Sequence, residues 1–65
     1  MFYERLKEAC ERQGLKMTPT IVECGGARGS ISDWKKGSYP NSKIVIALAK
    51  RLNVSTDYLL GLTDN

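Results

Sequence analysis

The sequence predicts an all-α fold of five short helices. Apolar residues recur at spacings of three and four along most of the 65 residues, and no stretch alternates apolar and polar residues as a half-buried strand does. Glycines, prolines and small polar residues interrupt this pattern where helices begin and end. A chain of this length forms one small domain, which we assign to residues 1–65.

The first helix is expected over Phe2–Gln13. Gly14 ends it as a left-handed residue, and Leu15 folds back over the last turn. One face is largely apolar and contains Phe2, Leu6, Ala9, Cys10 and Gln13.

The second helix is expected to start at Thr18 and Pro19. Thr18 is a good N-cap, and Pro19 at the first helical position loses nothing by lacking an N–H group. Ile21, Val22 and Cys24 provide its buried side, and the Gly25-Gly26 pair ends the helix.

The third helix is expected to follow this turn and to end at Gly37. At 100° per residue, Ala27, Ile31 and Trp34 share one face, which we interpret as the buried one. The opposite face contains Gly29, Ser32, Asp33 and Lys36. Ala27 or Gly26 lies at the cap position, and neither offers a side-chain acceptor to the free N–H groups.

The fourth helix begins after a cap at Asn41 or Ser42 and ends at Leu52, followed by Asn53. It is apolar on more than half of its circumference, through Ile44, Ile46 or Ala47, Leu48, Ala49 and Leu52, so we expect it to be the central helix.

Ser55 caps a fifth helix with Asp57 in its first turn. We expect Leu59 or Leu60 inside and Tyr58 partly outside.

Charge is distributed unevenly along the chain. The formal net charge is +3, and residues 1–33 contain as many acidic as basic side chains. Residues 34–51 contain no acid and five basic residues, namely Lys35, Lys36, Lys43, Lys50 and Arg51. Such asymmetry is typical of a face that binds a polyanion. The alternative is a lysine-rich surface that is simply solvated.

The composition argues against several classes of protein. The chain has no His and two Cys, half of a tetrahedral zinc shell, so we expect no metal site and no cofactor. Cys10 and Cys24 are interpreted as reduced, buried thiols of a cytoplasmic protein. We find no secretory signal, lipidation motif or membrane-spanning stretch, and expect no membrane partner. Without His, a carboxylate pair at useful spacing or a phosphate-binding glycine loop, the chain is not expected to be an enzyme.

Two segments are the most specific in the chain: ISDWKKG at residues 31–37 and LNVSTDYLLG at residues 52–61. With a helix-turn-helix at about residues 18–36 and the order of five helices, they resemble the lambda-repressor-like (Cro/C1-type, Xre family) DNA-binding domains over essentially the whole chain. The pairs Thr18-Pro19 and Lys35-Lys36 look like the variant common in phage and mobile-element repressors of Gram-positive bacteria.

The resemblance implies that the helix around residues 28–36 enters the major groove of double-stranded DNA, and that a homodimer binds an inverted-repeat operator. It implies base contacts from Arg28, Gly29, Ser32 and Asp33. It implies phosphate contacts from Met17, Thr18, Ser30, Lys35, Lys36, Ser38 and Lys43. It places Val54, Tyr58 and Leu59 at or near the dimer interface.

The chain departs from the family pattern at some of these positions. Gly29 has no side chain where many relatives have a polar residue that reads a base. Cys10 and Lys35 occupy positions where relatives often pair an Arg with a Glu. Lys35 is therefore free for solvent or phosphate.

Three side chains have open alternatives, and Trp34 has one expected place. Arg28 either contacts guanine or lies against phosphate or solvent. Asp33 accepts a hydrogen bond from cytosine N4, orients Arg28, or is a solvated acid near the interface. Trp34 is expected in the core. Tyr39 either lies on the DNA backbone or packs on the fourth helix, and we expect packing.

We predict a sequence-specific DNA-binding transcriptional regulator, most simply a repressor, in a bacterial or phage-infected cell. The alternative is a protein-interaction module, such as an antitoxin or anti-repressor, that uses the same fold against a protein. Salt dependence separates the two, because phosphate contacts make affinity fall steeply with salt.

Overall fold

A computed structural model describes residues 2–63, which contain five α-helices and no strand. The helices are α1 (Phe2–Gln13), α2 (Met17–Glu23), α3 (Ser30–Lys35), α4 (Ser42–Leu52) and α5 (Thr56–Leu59). The predicted all-α class and the number of helices are confirmed within this part of the chain.

All five helices end in the same backbone motif. At the end of α3, the Gly37 N–H donates to the Trp34 carbonyl and the Ser38 N–H donates to the Asp33 carbonyl, both at 3.1 Å. This pair of hydrogen bonds requires a left-handed residue, and Gly37 has φ +109°. The left-handed residues at the other ends are Gly14, Gly25, Asn53 and Gly61. The predicted ends of the first four helices are therefore confirmed.

Two helices start at residues other than those predicted. α2 starts at Met17, so Thr18 is not its N-cap and Pro19 is its third residue. Pro is tolerated there because the first four N–H groups of a helix have no intrahelical partner. The Thr20 hydroxyl donates to the Lys16 carbonyl at 2.7 Å within this first turn.

α3 starts at Ser30, later than predicted. The Ser30 N–H donates to the Ala27 carbonyl at 3.1 Å, so residues 27–30 form a turn before the helix. Ala27 is exposed and does not share the buried face with Trp34. The N-cap is Gly29, so the expected cap at Ala27 or Gly26 is wrong; Gly29 likewise makes no side-chain hydrogen bond.

The starts of α4 and α5 are capped by side chains. The Asn41 carbonyl oxygen Oδ1 accepts from the Ile44 N–H at 3.0 Å, which decides between Asn41 and Ser42 as the cap. The Ser55 hydroxyl accepts from the Tyr58 N–H at 3.0 Å, as predicted.

The central helix is α1, and the expectation that α4 is central is wrong. α1 packs against each of the other four helices, whereas α4 packs mainly against α1 and α5. The buried face of α1 contains Phe2, Leu6, Ala9 and Cys10. α4 buries Val45, Leu48, Ala49 and Leu52. Ile46 is 46% exposed, so part of the apolar circumference of α4 lies outside the core.

The inward face of α2 differs from the predicted one. Thr20 and Ile21 are buried, whereas Val22 is 45% exposed. Met17 and Cys24 pack partly against the core, one turn to either side of these residues. Met17, Thr20, Ile21 and Cys24 are three or four residues apart and share one face of the helix, and Val22 lies off that face and points toward solvent.

Candidate nucleic-acid interface

The last turn of α3 is anchored to the first turn of α1. Trp34 is 5% exposed, and its ring meets the Phe2 ring edge to face with centroids 5.3 Å apart. Ile31, one turn earlier, packs partly against the same core. The prediction that Trp34 is a core residue is confirmed. Because Ile31 and Trp34 face inward, the residues between them face away from the core.

The four residues expected at base edges are all exposed. Ser32 and Asp33 lie on the outward side of α3, and Arg28 and Gly29 lie in the turn before it. Neither Arg28 nor Asp33 has a side-chain hydrogen bond or ion pair to any other residue of the range 2–63. Asp33 therefore does not orient Arg28 in the free chain, and both charges are available to a partner.

The residues expected at phosphates fall into two groups. Lys36, Ser38 and Lys43 are exposed on the loop after α3 and on the first turn of α4. Half-buried positions are found for Met17 and Thr18 at the start of α2 and for Ser30 at the start of α3. The second group is therefore less exposed than the first.

Tyr39 lies in the loop between α3 and α4. Its side chain is 54% exposed, and its ring is tilted toward the Phe2 ring of α1 at a centroid distance of 6.2 Å. The expected packing on α4 is thus replaced by a contact with α1. Tyr39 directly follows Ser38 and lies three residues after Lys36, and the outer edge of its ring remains open to solvent.

Lys35 differs from its neighbour Lys36. Its ammonium group lies 5.5 Å from the centroid of the Tyr3 ring, so the last residue of α3 contacts the first turn of α1. A cation over the face of an aromatic ring is attracted by the ring quadrupole. In the free chain Lys35 is therefore engaged with Tyr3.

The charge of this region is strongly positive. Residues 16–43 contain five basic side chains (Lys16, Arg28, Lys35, Lys36 and Lys43) and two acidic ones (Glu23 and Asp33). One Glu23 carboxylate oxygen accepts from Arg51 Nε at 3.2 Å, an exposed ion pair that ties the end of α4 to the end of α2. Asp33 is thus the one acid of residues 16–43 without a cationic partner.

The expected dimer residues are mostly buried within one chain. Tyr58 is 3% exposed and Leu59 is 0% exposed, so the expectation that Tyr58 lies partly outside is wrong. The guanidinium carbons of Arg5 and Arg12 lie 4.7 Å and 5.7 Å from the Tyr58 ring centroid and cover it. Side chains so enclosed can offer little surface to a second copy, whereas Val54 is half-buried.

An apolar groove lies beside these residues, on the outer side of α4 and α5. It has a volume of about 340 Å³ and is lined by Pro40, Ser42, Val45, Ile46, Thr56 and Leu60. Ile46 in the groove and Leu62 just beyond α5 are 46% and 73% exposed. No role was predicted for this surface, although Thr56, the first residue of α5, and Leu60, just after its end, stand at i,i+4 spacing.

The thiols are not part of this interface. Cys10 is buried and Cys24 is half-buried; neither is in a disulfide. Burial raises the pKa of each thiol above its ordinary value, and Arg51 opposes this shift at both. Both sulfurs are therefore neutral at pH 7 and poor nucleophiles.

Two further properties concern the described residues. No group of three or more His, Cys, Asp or Glu side chains within residues 2–63 is arranged to hold a metal ion. In the same range, no helix has both the length and the apolar character needed to cross a membrane.

Comparison with known proteins gives one match. A family model described as helix-turn-helix matches residues 6–59, more than four fifths of the chain. This range runs from Leu6, in the second turn of α1, to Leu59, the last residue of α5. Comparison with curated proteins and with solved structures gives no match.

Proposed function

The chain belongs to the lambda-repressor-like helix-turn-helix family, and we propose that it is a sequence-specific repressor that binds an inverted-repeat operator as a dimer. Members of this family are DNA-binding regulators. One observation carries the proposal. The outward side of α3 and the turn before it expose Arg28, Ser32 and Asp33, while Trp34 holds the opposite side in the core.

Base recognition is assigned to α3 and the turn before it. α3 has six residues, so it is about 9 Å long, which fits within a major groove about 12 Å wide. Arg28 reads guanine through O6 and N7, and Asp33 accepts from cytosine N4. Ser32 makes a short contact that tolerates different bases. Gly29 lets the backbone approach the base edges, because it has no side chain and is exposed.

Phosphate contacts position the domain on the duplex. Lys36 and Lys43 flank the loop between α3 and α4 and neutralise phosphates through exposed ammonium groups. Ser38 lies between them in sequence. Met17 and Thr18 contribute through backbone N–H groups in the first turn of α2, which have no intrahelical partner, and Ser30 contributes through its hydroxyl.

Dimer formation is assigned to the apolar groove beside α5, together with Val54. Exposed Ile46 and Leu62 give this surface the apolar character expected of an interface between copies. The largest dimension of the domain is 27 Å, so two copies side by side can place their recognition helices about 34 Å apart, one turn of DNA. Tyr58 and Leu59 neighbour Leu60 of the groove in sequence but are themselves buried.

Salt dependence with single-lysine variants tests the assignment. Binding of the parent to a DNA duplex should fall steeply with salt, and Lys36→Ala and Lys43→Ala should each flatten the log–log slope by about 0.9 per bound protomer. Both variants should weaken binding to all sequences by similar factors. A parent that binds no duplex at low salt, or binds with a flat salt response, would favour a protein partner instead. A changed sequence preference with an unchanged slope would overturn the phosphate assignment of that lysine.

A further inference from the structure

α3, the helix proposed to enter the major groove, is too short to hold its orientation without contacts to other helices. α3 has six residues, fewer than an isolated helix needs to be stable in water, and its N-cap Gly29 makes no side-chain hydrogen bond. In its first turn Ile31 packs only partly against the core, so the orientation of α3 also depends on contacts made by its last turn.

The first turn of α1 makes these contacts with two adjacent aromatic residues. The Phe2 ring packs edge to face on Trp34, and the Tyr3 ring lies under the ammonium group of Lys35. The two contacts are made by neighbouring residues on both helices, Phe2-Tyr3 on α1 and Trp34-Lys35 on α3. The first fixes the distance between the helices, and the second restrains rotation of α3 about its axis, because Lys35 lies about 100° around that axis from Trp34.

We propose that Tyr3 and Lys35 form a positioning pair that sets the rotation of α3 in the major groove, and that Lys35 acts through Tyr3 and not through a phosphate. This inference rests on the proposed function. A rotation of α3 moves Asp33 and Ser32 relative to base edges, so loss of the pair lowers discrimination between sequences more than it lowers overall affinity for DNA.

The test compares Lys35→Met with Lys36→Met, which removes the same charge from the next residue. Lys50→Met, on the last turn of α4, controls for the long-range effect of losing one positive charge. Lys35→Met should lower affinity for the preferred site about two- to five-fold more than for random duplex, a change that corresponds to 0.5–1 kcal/mol for an exposed cation–π contact. The salt slope of Lys35→Met should match that of Lys50→Met. The salt slope of Lys36→Met should be flatter than both by a further 0.9 per protomer.

Variants of Tyr3 test the other member of the proposed pair. Tyr3→Leu should reproduce the two- to five-fold loss of discrimination with no change in salt slope, and Tyr3→Phe should restore it because the ring is retained. Lys35→Arg should restore it as well, since a guanidinium also lies favourably over a ring. In the double variant, the Lys35→Met loss should disappear when Tyr3 is already Leu. Circular dichroism at the assay temperature verifies that each variant is folded.

Two results would overturn the inference while leaving the proposed function intact. One is a Lys35→Met salt slope as flat as that of Lys36→Met, which would make Lys35 a phosphate contact. The other is Tyr3→Leu discrimination equal to that of the parent. Failure of the proposed function is separate, because the parent itself would then bind duplex DNA without discrimination or salt dependence.

Discussion

Replacement of Trp34 by Ala should unfold the domain. Trp34 is 5% exposed, and truncating a buried large aromatic residue costs about 3–5 kcal/mol. This cost includes the lost edge-to-face contact with Phe2, which accounts for about 0.5–1.5 kcal/mol of it. A domain of 65 residues has a total stability of about 3–10 kcal/mol, so the loss is comparable with the whole.

Urea and thermal unfolding of the pure protein without DNA measure this loss. Far-UV circular dichroism is the appropriate signal, because Trp34 is the only Trp and its fluorescence disappears with the substitution. Trp34→Phe is the matched control; it retains a ring against Phe2 and should lose only about 1–2 kcal/mol. Each kcal/mol shifts Tm by about 4–8 °C in a domain of this size. A Trp34→Ala protein that melts within a few degrees of the parent would refute the orientation of α3 described above.

Three further predictions concern the helix-turn-helix itself. Gly26→Ala should destabilise the domain by about 1–3 kcal/mol in the same unfolding assay, because the new Cβ would lie 2.6 Å from Ile21 Cγ2. Gly29→Ala should be neutral or stabilising by about 0.4–1 kcal/mol, because Gly29 has φ −69° and open space around the position of its Cβ. Equal melting of the two variants would show that Gly26 does not pack tightly on α2. Arg28→Ala should cost about 1–3 kcal/mol on the preferred site and relax the preference at one guanine per half-site, measured by competition with single-base variants of that site. Asp33→Ala should strengthen binding to random duplex while lowering the ratio of specific to non-specific affinity, and an undiminished ratio would mean that Asp33 reads no base.

The sequence predicted the helix ends that depend on local chemistry. Gly37 and Asn53 end their helices because the left-handed conformation is accessible to Gly and Asn, and Ser55 caps α5 through its own hydroxyl. These features need only a few neighbouring residues. The start of α2 was misplaced because Pro19 is tolerated at any of the first positions of a helix, so its presence does not decide which one it occupies.

Errors in the predicted core arise from contacts between distant segments. Tyr58 was expected partly outside, yet Arg5 and Arg12 of α1 cover its ring, and nothing near Tyr58 in sequence signals this. α4 was expected to be central because it is the most apolar helix, but Ile46 contributes to an external groove. Apolar content alone does not distinguish the core from an exposed apolar surface.

The candidate site was predictable in its charges and less so in its contacts. The exposure of Asp33 follows from the helical spacing of Ile31 and Trp34, and the acid-free stretch of basic residues at 34–51 was visible in the sequence. Arg28 is exposed because it lies in the turn before α3, where the sequence predicted helix. The contact between Lys35 and Tyr3 was not, because it joins residues 32 positions apart on two helices whose crossing was unknown.

Base recognition is measured by selecting bound sequences from random duplex DNA, at one fixed salt concentration, with the parent and the Arg28→Ala protein. The parent should enrich an inverted repeat whose half-site centres lie about one helical turn, 10–10.5 base pairs, apart, with a guanine in each half-site that is lost from the motif when Arg28 is replaced by Ala. Recovery of no motif, or of the same motif with the Arg28→Ala protein, would contradict base recognition by α3 and the turn before it.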